Sequence, residues 1–108
     1  MSENSEMMQL TIFFRHNQAM TLDEILTQLK KTGFWKHFPP EGMEIAAWQV
    51  LMGVGHVVTL RLPPERLREL NIAVERYGWS AFTTEFYPSY DFSAVYQDYH
   101  RRALAGEM

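Results

Sequence analysis

"MGVGHVVTLRLPPERLREL", residues 52–70, decides how the chain folds. Met52-Gly53-Val54-Gly55 reads as a turn, because glycine reaches positive φ without steric cost. Residues 56–62 are rich in β-branched and apolar side chains and read as a strand. Pro63 and Pro64 end that strand, and Pro64 suits the first turn of a helix, where its missing N–H is not needed. Leu67, Leu70, Val74 and Tyr77 then recur at helical spacing, and Gly78 closes the helix. The Gly-x-Gly is not a dinucleotide fingerprint: it lacks a third glycine and leads into a strand, not a helix.

Working outward, residues 8–16, "MQLTIFFRH", read as a first strand. Thr21 with Glu24 three residues on forms a capping box. Leu22, Ile25, Leu26 and Leu29 follow as one apolar stripe, and Gly33 is the expected helix stop. Residues 34–42, "FWKHFPPEG", read as an aromatic loop packed on the core. Residues 43–52 read as a second strand that is apolar on both parities, which predicts cover on both faces. Residues 80–88 form a fourth strand. Asp91 or Ser93 is placed to cap a last helix over 94–107.

Strand, helix, strand therefore occurs twice. That order predicts an α+β, ferredoxin-like β-α-β-β-α-β domain: a four-stranded antiparallel sheet with both core helices on one face, plus a C-terminal helix. The expected organisation is a disordered tail at 1–7, one domain over 8–92 and a helical extension over 93–108.

Bulk properties narrow the function classes. A chain of 108 residues holds one domain. A formal net charge of −3 argues against nucleic acid, which attracts a basic surface. Zero cysteines exclude disulfides, thiolate nucleophiles and cysteine-based metal sites. His16, His37, His56 and His100 show no ligand spacing, so no metal and no cofactor are expected. No apolar run approaches the roughly 20 residues that span a bilayer, and the polar N-terminus is not a secretory signal. The expected setting is the cytoplasm, without membrane association.

Alternation along the strands sorts side chains by face. Leu10, Ile12 and Phe14 share one face of the first strand. His56, Val58, Leu60 and Leu62 share one face of the third, and Phe82, Thr84 and Phe86 one face of the fourth. These sets are expected to meet the helices. The opposite set includes Phe13, Arg15, Arg61, Glu85 and Tyr87, and such a mixture must face water, another subunit or a ligand. On that face Arg15 or Arg61 is suited to hold an anionic oxygen bidentately, with Phe13, Trp48 and Tyr87 as apolar walls. Glu85 and His56 are the candidate proton-transfer groups. The competing reading is a solvated or dimer-facing sheet with ion pairs, and a structural role for His56.

With this layout placed, the chain resembles the dimeric α+β barrel superfamily over roughly residues 8–92. The likeness rests on length, an aromatic-rich open sheet face and an extension after the last strand. Trp35-Lys36-His37 and Gly55-His56 resemble local segments of muconolactone isomerases. Their separation is longer here by about a strand length, so no catalytic residue is carried over. Haem-degrading members place a histidine on a helix, and neither core helix has one. The resemblance implies a homodimer binding a small, anionic aromatic molecule on the open face. Its alternative is a cofactor-free isomerase or monooxygenase acting on a small aromatic or enol-like acid. RNA-recognition domains share the topology but stack bases on aromatics of strands one and three. Val57, Thr59 and Arg61 offer none.

Overall fold

In the computed structural model, which describes residues 7–108, the elements run β1 (Met8–His16), α1 (Leu22–Thr32), α2 (Phe34–His37), β2 (Glu44–Leu51), β3 (Gly55–Leu62), α3 (Leu67–Gly78), β4 (Phe82–Pro88) and α4 (Ser93–Leu104). All but Met7 of the expected tail lies outside the described residues. The fold is α+β: one four-stranded antiparallel sheet, in the order β2-β3-β1-β4, with helices.

Local sequence explains the element ends. The Thr21 side chain accepts from Glu24 N while Glu24 Oε1 accepts from Thr21 N, so two otherwise orphaned donors are satisfied at the start of α1. Gly33, at φ 83°, closes α1 and opens α2. The stretch read as an aromatic loop thus contains one helical turn, and its packing is as expected: Phe34 and Phe38 are buried. Pro64–Arg66 form a 3-10 turn that leads into α3.

One side of the sheet buries Leu10, Ile12, Phe14, Val58, Leu60 and Leu62 against Ile25 and Leu29 of α1 and Leu70 and Val74 of α3. Phe14 lies at the centre, with ring centroids of Phe34, Phe38 and Phe82 at 5.6, 5.3 and 5.2 Å in edge-to-face contact. The two core helices are tied by Thr32, whose hydroxyl donates to the Tyr77 carbonyl at 2.8 Å.

Strand β2 departs from expectation. It pairs with β3 alone and forms an edge, so most of its side chains are exposed instead of covered on both faces. A register shift between Ile45 and Ala47 leaves Ala46 unpaired. The bulge reverses the alternation: Ile45 pairs with Leu60 and Trp48 with Val58, both on the helix side. Ala47 and Gln49 pair with Thr59 and Val57 on the other face.

Helix α4 forms as expected but buries no residue. The Cα radius of gyration is 17.2 Å, against about 13 Å for a compact chain of this length. The smallest extent, 16 Å, is the depth of a sheet and one helix layer about 10 Å apart. Helix α4 therefore projects beyond the two-layer body and leaves the second sheet face uncovered.

The two turn glycines predict different costs. A Cβ at Gly55, φ +152°, would overlap the Phe14 carbonyl oxygen and sit 2.9 Å from Arg15 Cα. A Cβ at Gly53, φ +78°, meets nothing within 4 Å. Gly53→Ala should cost about 1–2 kcal/mol for the left-handed backbone alone. Gly55→Ala should cost clearly more, because β1 must move. Urea unfolding of the two variants checks this, and equal midpoints would refute the close-approach role of Gly55.

Candidate functional site

The uncovered sheet face carries Gln9, Thr11, Phe13 and Arg15 from β1, with Val57, Thr59 and Arg61 from β3 and Thr83, Glu85 and Tyr87 from β4, as register with buried neighbours requires. Its centre is a line of hydroxyls. Thr11 Oγ1 shares hydrogen bonds with Thr59 Oγ1 at 3.1 Å and Ser89 Oγ at 2.7 Å.

Arg15 and Arg61 are six residues apart in register along β1, since Arg61 pairs with Gln9. At about 3.4 Å per residue they are roughly 20 Å apart, and no small molecule touches both. Their surroundings differ. Arg61 Nη1 lies 3.5 Å from Glu44 Oε2. Asp91 is also close by. Its carboxyl is held below the usual value first by hydrogen bonds from Ser93 and then by the Arg61 charge. An anion at Arg61 would meet two carboxylates. Arg15 faces one: Nη2 donates to Glu85 Oε1 at 3.4 Å, with the two side chains 47% and 41% exposed. A long, exposed pair of this kind holds at most about 1 kcal/mol, so an incoming anion displaces Glu85 at little cost.

Beside Arg15 lies an aromatic row. Its guanidinium carbon sits 5.7 Å from the Phe13 ring centroid, and Phe13 meets Tyr87 edge to face at 5.9 Å. Past the end of β1, Arg15 also borders a cleft of about 580 Å³ lined by His16, Asn17, Gly53, Val54, Trp79 and Thr83, among others. Trp79 Nε1 donates to Thr84 Oγ1 at 2.9 Å, which presents the indole at the cleft rim. Sequence reading missed this cleft. Its walls are the end of β1, the β2–β3 turn and the start of β4, which meet only when β1 sits between β3 and β4. The 2.9 Å bond from His16 N to the Val54 carbonyl, between residues far apart in the chain, closes this end of the sheet.

Besides Arg61, two expected site residues do not join this group. Trp48 was expected beside Phe13 and Tyr87, but the β2 bulge turns it to the helix side. There it stacks on Trp35 at 6.2 Å, meets Phe38 edge to face at 5.8 Å, and donates from Nε1 to His56 Nδ1 at 3.0 Å. His56 pairs with Phe14, and Glu85 with Phe13. Adjacent residues of one strand point to opposite faces, so His56 and Glu85 stand on opposite sides of the sheet and cannot act on one substrate atom. Among the described residues, no group of three or more His, Cys, Asp or Glu could hold a metal ion, and no helix is long and apolar enough to cross a membrane.

No protein-family profile, curated protein or solved structure matches the chain.

His56 is better understood as a structural group. Burial, and next the charge of His16, whose ring centroid is 5.4 Å away, lower its pKa below 6.5. The geometry agrees: a protonated Nδ1–H would point at the Trp48 N–H, donor against donor. A histidine with a lowered folded pKa leaves the unfolded chain binding more protons between the two values. Stability should therefore be full above about pH 6.5 and fall as pH drops from there through the folded pKa. Urea midpoints at pH 7.5 and pH 5 should show this loss, with a smaller loss in His56→Phe. An unchanged loss in that variant would sink the assignment.

Proposed function

We propose that this chain is a homodimeric α+β barrel of ferredoxin-like topology, and that it binds a small, anionic aromatic molecule at the Arg15 end of its open sheet face. The strand order β2-β3-β1-β4, with α1 and α3 on one side, supports the topology. The uncovered second face carries Phe13, Val57 and Tyr87 among seven polar or charged side chains, and apolar groups exposed within a polar rim mark interaction sites, which supports pairing with a second sheet.

The observation that carries the ligand reading is the grouping at Arg15. A guanidinium with one weak carboxylate partner stands next to the Phe13–Tyr87 ring pair and opens onto a cleft large enough for a single-ring acid. The arginine would take the ligand's carboxylate bidentately at the cleft mouth, with Trp79 and Phe82 of the cleft wall against its aromatic part. Phe13 and Tyr87 stand beside Arg15 on the open face and do not line the cleft. The reading as a cofactor-free isomerase or monooxygenase retains Glu85 beside the ligand but loses His56, and no observation favours chemistry over binding.

Calorimetric titration with benzoate, salicylate and 1-naphthoate tests the proposal. A charge-assisted hydrogen-bond pair contributes about 1.5–3 kcal/mol, so Arg15→Ala should weaken binding by about 10-fold or more. Arg61→Ala should leave binding within about twofold. No heat with any of the three acids at millimolar concentration, or equal affinity in Arg15→Ala, overturns it.

A further inference from the structure

Helix α4 has the composition of a packed helix and the environment of an unpacked one. Phe92, Val95, Tyr96, Tyr99 and Ala103 recur at i, i+3, i+4, i+7 and i+11, which makes one apolar stripe. None of its residues is buried. An isolated helix of 12 residues is marginal in water. The ion pairs from Asp98 to Arg101 and Arg102, at 2.8 and 3.3 Å, add only a few tenths of a kcal/mol each. The helix needs a surface to cover it.

Its own body does not supply that surface. The chain leaves β4 still anchored, with Ser89 N donating to the Gln9 carbonyl at 3.1 Å and Ser89 Oγ bonded to Thr11 on the open face. Four residues later α4 begins and runs outward, giving the chain a long dimension of 55 Å. The launch point is thus fixed on the open-face side, and the aromatic side of the helix points to nothing in the same copy.

We propose that α4 is an exchanged arm, and that its Phe92–Tyr96–Tyr99 side packs on the open-face side of a second copy of this chain. Area favours a second copy as the occupant. Tyr90, Phe92, Tyr96 and Tyr99 are 78, 46, 56 and 43% exposed, the surface of about two whole rings, or roughly 400 Å². In a two-fold exchange each copy gives one arm and receives another. Each then buries about 800 Å², the area of a standard stable interface. The chain also carries both halves of the contact, an unpartnered arm and an unpartnered sheet face, which is what an isologous interface requires. The arm would bring Tyr96 and Tyr99 of the partner subunit to the face that carries the proposed ligand site. The inference rests on the dimer reading above, but the two fail separately.

Sedimentation equilibrium of the full chain provides the test, with the double variant Tyr96→Glu/Tyr99→Glu and the sheet-face variant Val57→Glu alongside. Circular dichroism confirms that each variant is folded, which is expected of α4 substitutions because no α4 residue is buried. The wild type should be a dimer at 10 μM, and the α4 variant should dimerise at least 100-fold more weakly. If both variants lose the dimer, arm exchange stands and the open face belongs to the same interface. Loss in the α4 variant alone keeps the arm and removes the barrel. Loss in Val57→Glu alone, or in neither variant, overturns the arm. A wild type that is monomeric at 100 μM overturns both.

Discussion

The packing of Phe14 is the constraint on which the other features depend. Its ring is in edge contact with Phe34, Phe38 and Phe82, so one side chain of the central strand β1 joins the α1–α2 corner to the start of β4. Each such pair contributes about 0.5–1.5 kcal/mol beyond its buried area. The same contacts set the faces of the sheet. With Phe14 turned inward, Phe13 and Arg15 on either side must turn outward. The open face and its arginine follow from an apolar requirement on the opposite side.

Polar groups at the edge of this cluster are satisfied within it. Trp48 and His56 form one hydrogen-bonded pair between the rings of Phe38 and Phe82. Among the described residues no buried side-chain nitrogen or oxygen lacks a partner. A neutral His56 serves this arrangement and a charged one breaks it. The residue that looked most like an acid or base is a packing element with a titratable edge. The charged residues on the open face are arranged differently: half-exposed, loosely paired, and cheap to rearrange around a ligand or a second protein surface.

The molecule is therefore lopsided. Everything that stabilises a single copy lies between the sheet and α1–α3, within a depth of 16 Å. The open face is the outer side of that layer, and α4 extends sideways from it with its aromatic stripe unburied. A domain of this size already leaves much of its surface in water, and two further uncovered aromatic surfaces are a cost without a second surface to meet. The arm leaves from the Arg61 end of the sheet, where Ser89 is pinned to Thr11, about 20 Å along β1 from the Arg15 site.

Much of this was legible in the sequence, because it depends on local rules. The Thr21–Glu24 box, the double proline after β3, the glycine turns and the alternation in β1, β3 and β4 each act over a few residues, and they placed the strands, the long helices and the face of every β1 residue. What they could not show depends on neighbours distant in the chain. Strand β2 was expected to be covered on both faces because it is apolar on both; only the sheet order makes it an edge. Trp48 was expected on the open face. One unpaired residue, Ala46, reverses the alternation, and a bulge is a property of a strand pair that a single strand does not announce. Arg15 and Arg61 were interchangeable as sequence. Register puts them about 20 Å apart and gives Arg61 the company of Glu44 and Asp91. The apolar spacing of α4 said that the helix is to be covered, and tertiary structure alone shows that its own copy does not cover it, since the body is complete without it.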